Sequence, residues 1–274
     1  MPMNSKSILV ATDLSARCDR PVDRALAIGR DWSAQVDVLH VFDRKEKTDD
    51  EARLRDLVST TLPDGETEAN ILLVPGSAPE TIVRAAEERG SDLIVTGVAR
   101  YNSLGDYILG TAVDHIVRNA GVPVLVVKQR PRARYRTLLI ATDLSSCSRA
   151  ALLKAAELFP DAAIHIVHAY HVPYEGWLTS EPVQNEAREE AQSELDAFVN
   201  DPAIPEKLRN HVAAKLGYGE TAQVIAQALR ETGADLAVFG THGRSGFTHA
   251  TMGSHAESLL SCVPVDTLMV REQT

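Results

Sequence analysis

The same strand and turn are written twice in this chain. Ser7-Ile8-Leu9-Val10-Ala11-Thr12-Asp13-Leu14-Ser15 returns as Thr137-Leu138-Leu139-Ile140-Ala141-Thr142-Asp143-Leu144-Ser145, displaced by 130 positions. Later matches are displaced by 143. Ala85, Gly90, Asp92, Leu93, Val95, Gly97 and Gly110 answer Ala228, Gly233, Asp235, Leu236, Val238, Gly240 and Gly253. Val122-Pro123-Val124 answers Val263-Pro264-Val265 at a displacement of 141. Solenoid units repeat every ~20–50 residues, so a period this long marks a duplicated domain. The expected division is 1–130 and 131–274, each long enough to bury its own core.

Within each copy, short apolar runs alternate with helical patterns. Strands are expected near 7–12, 35–41, 69–74, 92–97 and 122–127, with helices near 18–31, 48–61, 78–89 and 110–119. The second copy repeats this with strands near 137–142, 162–169, 211–216, 234–240 and 264–270. Its helices are expected near 146–158, 183–199, 219–232 and 253–261. Such alternation implies the α/β class, with two tandem Rossmann-like open parallel sheets covered on both faces. Ligands of such sheets bind beyond the carboxyl ends of the strands, near a switch in strand order. Asp13, Asp143 and the glycine-bearing loops after the fourth strands all fall at that edge.

The stretch richest in chemistry is Gly240-Thr-His-Gly243-Arg-Ser-Gly-Phe-Thr-His-Ala-Thr-Met-Gly253-Ser254. It follows an apolar strand and opens a helix, the arrangement in which backbone N–H groups and a helix dipole close around phosphate oxygens. Gly240 and Gly243 are expected to adopt conformations closed to other residues, or to let a ligand approach the backbone. The loop ends in no Gly-Lys-Ser/Thr and is not G-x-G-x-x-G, so neither a Walker loop nor a dinucleotide fingerprint is present.

Gly240-x-x-Gly243, nine residues, then Gly253-Ser254 resembles the G-x2-G-x9-G-[S/T] signature of the ATP-binding branch of the universal stress protein family. The resemblance covers nearly the whole chain as two complete domains. It implies a five-stranded sheet of order 3-2-1-4-5 in each copy, a fold similar to that of the adenine nucleotide alpha hydrolase group. It also implies pairing of two domains along their last strands, here Val122–Val127 and Val265–Val270. The two copies then form a pair within one chain, and a dimer of whole chains stays open. The implied ligand is ATP, ADP or AMP, with Mg²⁺ or Mn²⁺ held beside the phosphates by Asp143. The implied nucleotide contacts are Asp143, Ala169 (after Val167-His168), Gly240, Gly243, Gly253 and Ser254, with His255 next to them. In the first copy the matching positions are Asp13, Val41 (after Leu39-His40), Gly97, Gly110 and Thr111. There the second motif glycine is Arg100: if that position needs a positive φ, arginine is strained and distorts the cradle, and its long side chain either fills the phosphate pocket or neutralises a phosphate. Nucleotide is therefore expected in the second copy, with the first weak, altered or empty.

Charge narrows the partners. The first 130 residues carry 16 basic and 20 acidic side chains and the remainder 12 and 18. Neither half offers a basic surface for nucleic acid or an anionic membrane. The basic cluster Lys128, Arg130, Arg132, Arg134 and Arg136 reads as a solvated linker. The start of the chain shows no signal-peptide pattern, and Cys18, Cys147 and Cys262 lie far apart. Both observations fit a reducing cytoplasm with free thiols. His171 to Pro182 reads as a solvated excursion or a lid. Pairs such as His168/His171 or His242/His249 lack metal-site spacing. A hydrolase built on Ser254, His255 and Asp143 lacks a nucleophile-elbow motif.

Two functions from different classes remain open. One is a nucleotide-binding stress or signalling module with a protein partner the sequence does not name, and with slow ATP hydrolysis at most. The other is an enzyme cleaving ATP between its α and β phosphates; the glycine-free turn Asp143-Leu-Ser-Ser-Cys-Ser-Arg149 and the lack of a third domain disfavour it. A nucleotide-free scaffold remains a reading of the first copy.

Overall fold

The computed structural model describes residues 6–15, 18–43, 51–63, 69–98, 100–101, 107–108, 110–172, 181–241, 259–260 and 263–272. The first half runs β1 (Ser7–Thr12), α1 (Asp19–Trp32), β2 (Gln35–Phe42), α2 (Glu51–Thr60), β3 (Asn70–Pro75), α3 (Ala78–Arg89) and β4 (Leu93–Gly97). It continues with β5 (Arg100–Tyr101), β6 (Tyr107–Ile108), α4 (Thr111–Asn119) and β7 (Val124–Val127). The second half runs β8 (Thr137–Ala141), α5 (Ser146–Leu158), β9 (Ala163–Tyr170), α6 (Glu181–Val199) and α7 (Glu206–Arg209). β10 (Val212–Tyr218), α8 (Thr221–Thr232), β11 (Leu236–Gly240) and β12 (Asp266–Val270) complete it. The single turn α7 and the two-residue ribbon of β5 and β6 have no counterpart in the sequence reading. Of the helix expected at 253–261 only residues 259–260 are described, and most of the excursion at 171–182 also lies outside the described residues.

Each half has strand order 3-2-1-4-5, but the sheets are not separate. Ten strands form one sheet in the order β10-β9-β8-β11-β12-β7-β4-β1-β2-β3. Neighbours pair in parallel except at the centre, where β12 meets β7 antiparallel with Leu268 opposite Leu125. Antiparallel pairing there satisfies the edge N–H and C=O groups that two separate sheets would leave exposed.

The central strands are apolar on both faces because helices cover both. Ile8 and Val10 join a core with Val22, Ala25 and Leu26 of α1 and Ala151, Leu152 and Ala155 of α5. Leu9, between them, faces the other layer with Ile82 of α3, Ile116 of α4 and Ile225 of α8. Both cores run across the seam. Gly90 and Gly233, matched in the two copies, end α3 and α8 with φ of 62° and 64°. In this left-handed conformation a side chain would be strained, and it lets the N–H groups beyond each helix reach its last carbonyls.

The linker is not simply solvated. Lys128 is 1% exposed, and its Nζ donates to Leu260 O at 2.7 Å, Val263 O at 2.7 Å and Thr267 Oγ1 at 3.1 Å. Three donors meet three acceptors, which is what burial of an ammonium group requires. Asp266, at the start of β12, is equally buried. It accepts from Lys128 N at 2.7 Å, Gln129 N at 2.9 Å and Tyr135 Oη at 2.6 Å, and lies 3.4 Å from Arg24 Nε. Arg24 also donates to Ala133 O at 2.8 Å, with its guanidinium 4.2 Å above the Tyr135 ring. Burial, and then the Asp266 carboxylate, push the Tyr135 hydroxyl well above its ordinary pKa, so it remains a donor. One carboxylate thus ties α1 of the first half, the linker and the last strand together.

A second buried carboxylate anchors the amino end of β2. Asp37 accepts from Arg89 Nε at 2.8 Å, Asn70 Nδ2 at 3.0 Å and Gln35 Nε2 at 3.1 Å. Burial works to raise its pKa, yet the hydrogen bonds from Arg89, Asn70 and Gln35 win and hold it below the ordinary value of 3.8. A depressed folded pKa contributes stability above the unfolded value, and that contribution is lost as pH falls through the folded value.

Two outcomes follow from these anchors. Asp266→Ala strands three hydrogen-bond donors and removes the counter-charge of Arg24 in a buried seam, and should lower the unfolding free energy by about 3–5 kcal/mol, the usual loss when half of a buried charge pair is removed, as measured by urea titration. A loss below about 1 kcal/mol, the scale of an exposed pair, would show that the seam does not depend on it. Asp37→Asn should lower the melting temperature at pH 7, and its gap from wild type should close as the pH drops below about 3.9, the unfolded aspartate value. A gap that is unchanged at pH 3 or that widens in acid would contradict the assignment.

Candidate functional site

β8 is the switch point of the second half, because the chain leaves it for β9 on one side and returns as β11 on the other. Registers Ala141↔Val167 and Val238↔Ile140 align the three strands. Their carboxyl ends therefore bring Asp143, Ala169 and Gly240 onto one edge. The first half repeats this with Asp13 beyond β1, Val41 on β2 and Gly97 closing β4. Gly110 precedes α4 and Thr111 begins it. Gly243, Gly253, Ser254 and His255 lie outside the described residues, as do His242 and His249.

The turn after β8 is built by its own side chains. Leu144 has a φ of 65°, a conformation that costs a non-glycine residue roughly 1–2 kcal/mol. Hydrogen bonds offset this strain. Leu144 N donates to Thr142 Oγ1 at 2.9 Å and Ser145 N to Asp143 Oδ1 at 3.1 Å. Ser145 Oγ donates to Asp143 Oδ1 at 2.5 Å and accepts from Ser148 N at 3.2 Å, capping α5. Ser148 Oγ donates to Ser145 O at 2.9 Å, so the 2.7 Å contact between Thr142 Oγ1 and Ser148 Oγ has threonine as donor. The Asp143 carboxylate is half-buried and held in place by its own turn.

The first half repeats the Thr-Asp-Leu-Ser turn, with Cys18 in the position of Ser148. Leu14 has a φ of 60°; Leu14 N donates to Thr12 Oγ1 at 3.1 Å and Ser15 N to Asp13 Oδ1 at 2.9 Å. Cys18 Sγ accepts from Asp13 N at 3.4 Å. Burial pushes the Cys18 thiol up to about 12, which keeps it protonated and poorly nucleophilic at neutral pH.

Two expectations about the motif need correction. Gly240 does not have a left-handed φ. A Cβ there would lie 2.9 Å from Cys147 Sγ and 3.1 Å from Cys147 C, so the first turn of α5 by itself requires glycine at this position. Arg100 is not strained. It lies in the ribbon opposite Ile108, and among the described residues positive φ outside glycine occurs only at Leu14, Ser33 and Leu144. The first half thus turns part of this loop into a ribbon.

Among the described residues, no three His, Cys, Asp or Glu side chains are grouped to hold a metal ion. A cavity of about 470 Å³ lies between α1, the linker and the end of α5, beside the amino ends of β8 and β9 and not at the edge that carries Asp143. Trp32, Tyr135 and Phe159 line it, and burial raises the pKa of Asp23 at its rim. The sequence reading missed Thr142 and Ser148 as builders of the turn. Thr12 and Thr142 were visible in the repeat, but hydroxyl partners are set by rotamers that no spacing reveals.

Comparison with known proteins places this architecture. The model described as the Universal stress protein family matches residues 4–128 and again residues 134–271. Universal stress protein A of Photorhabdus laumondii is 33% identical over 145 residues, covering 50% of this chain and 94% of that protein. A universal stress protein E homolog of Haemophilus influenzae is 24% identical over 223 residues, covering 76% of this chain and 71% of its own length. Among solved structures, a protein of unknown function from Pseudomonas aeruginosa PAO1 has a TM-score of 0.68 at 21% identity, covering 98% of this chain and 93% of that one. A universal stress protein of Archaeoglobus fulgidus has a TM-score of 0.65 at 18% identity over 99% and 100% of the two chains. No helix among the described residues is long and apolar enough to cross a membrane. With the family matched twice in succession over nearly its whole length, the chain belongs to the universal stress protein family.

Proposed function

We propose that the second half of the chain, 131–274, binds one adenine nucleotide, ATP or its di- or monophosphate. The first half, 1–130, is then a degenerate unit that supplies fold and seam. The observation that carries this reading is the edge shared by Asp143, Ala169 and Gly240 at the switch point of β8, from which the glycine-rich motif departs. In this reading Gly243, Gly253, Ser254 and His255 cradle the phosphates through backbone N–H groups and the helix dipole. Asp143, with Oδ1 already turned toward Ser145, stands beside them. The described residues offer no cation site made by protein alone. Mg²⁺ or Mn²⁺ would therefore enter on the phosphates, with Asp143 as the carboxylate next to it.

The turn after β8 favours binding over cleavage between the α and β phosphates. A pyrophosphate loop there needs open N–H groups at the start of α5, whereas Ser148 N is taken by Ser145 Oγ. The Ser146 hydroxyl donates to Glu272 Oε2 at 2.7 Å. The nucleotide then serves as a signal that changes partners, in the stress response expected of the family.

Gly243→Arg writes the first half's departure into the second. It should weaken ATP binding at least about tenfold, or ~1.4 kcal/mol, in isothermal titration, with the melting temperature little changed. An unchanged dissociation constant would refute the assignment of the phosphates to this loop.

A further inference from the structure

We infer that His168 is a positioning residue for the Asp143 turn, an inference that rests on the nucleotide reading only for its effect on affinity. β8 leaves the sheet after Ala141, although Thr142 N still donates to Val167 O at 3.0 Å. Thr142 is 6% exposed, and a buried carbonyl must find a donor. That donor is His168 on the neighbouring strand, with Nδ1 at 2.8 Å from Thr142 O. A carbonyl only accepts, so Nδ1 carries the proton.

This bond fixes the carbonyl end of Thr142, the residue whose side chain fixes the rest of the turn. Thr142 Oγ1 holds Leu144 N and meets Ser148 Oγ, and Ser148 Oγ holds Ser145 O. Ser145 in turn grips the Asp143 carboxylate. The chain from His168 to Asp143 is continuous, and it carries the left-handed Leu144 in its middle. Ala169, the next residue on β9, belongs to the same edge. One strand end therefore presents a site residue and clamps the turn that carries another.

The first half supplies a matched control. His40 Nδ1 lies 3.0 Å from Thr12 O in the same geometry. Removing it has the same local consequence at an edge to which no nucleotide is assigned.

The test uses the full chain with His168→Phe, His168→Asn and His40→Phe. Asparagine carries an amide nitrogen on Cγ, where histidine carries Nδ1, and so restores the donor. His168→Val and His40→Val serve if phenylalanine proves too bulky to fold. ATP affinity by titration should fall about 3- to 10-fold in His168→Phe, the scale of one lost hydrogen bond. It should return in His168→Asn and stay at the wild-type value in His40→Phe. Hydrogen exchange without ligand should quicken at the Leu144 and Ser145 amides in His168→Phe and not in His168→Asn. Equal loss in the asparagine and phenylalanine variants, or turn amides that do not respond to His168→Phe, would overturn the inference. If the wild type binds no ATP, the nucleotide reading falls alone, and the exchange result still decides whether His168 holds the turn.

Discussion

A single buried carboxylate decides how the two halves of this chain meet. Asp266 opens the last strand, yet its partners belong to α1, to the end of β7 and to the linker. A carboxylate without partners at that depth would be far costlier than the apolar residue it replaces. The geometry that satisfies it therefore excludes other dockings of the halves. Lys128 adds a second condition, because its ammonium is satisfied only when Leu260, Val263 and Thr267 are in place. The apolar seam between β7 and β12 supplies area, and these two side chains supply the register.

That register has a consequence for the edges at the carboxyl ends of the strands. β7 and β12 run antiparallel, so the carboxyl end of β7 lies beside the amino end of β12. The two switch points consequently open on opposite sides of the seam. The linker can be short because the end of β7 and the start of β8 lie on the same side. Arg20 NH1, in the first turn of α1, donates to Lys128 O at 2.8 Å on that side. Arg271 NH1 reaches Arg118 O at 3.0 Å at the far end. Duplication has produced two edges, of which only the second retains the full glycine pattern.

Much of the fold was legible in the sequence, because a repeat read twice disciplines each reading. The β1 text and its copy in β8 fixed where each half begins, and Gly90 and Gly233 recur because both end helices in a left-handed turn. The family resemblance supplied the strand order that apolar runs alone leave open. What was not legible depends on where side chains point. Lys128 sits among five basic residues in a linker, and no pattern distinguishes the one that turns inward. Asp266 was a signal left unread, a charge inside the apolar run Val263 to Val270. Gly240 matched a ligand motif while its space is required by Cys147. His40 and His168 were used only to locate the residues after them, though each donates to the threonine carbonyl before the aspartate.

The account rests on an asymmetry in sequence: two copies of one fold, of which only the second keeps the full Gly240, Gly243, Gly253, Ser254 pattern, while the first carries Arg100 in place of the second glycine. The number of nucleotides held by each chain tests it most directly. Native mass spectrometry of the intact protein in saturating ATP should show one nucleotide per chain. Two equivalent nucleotides per chain, or none, would contradict it.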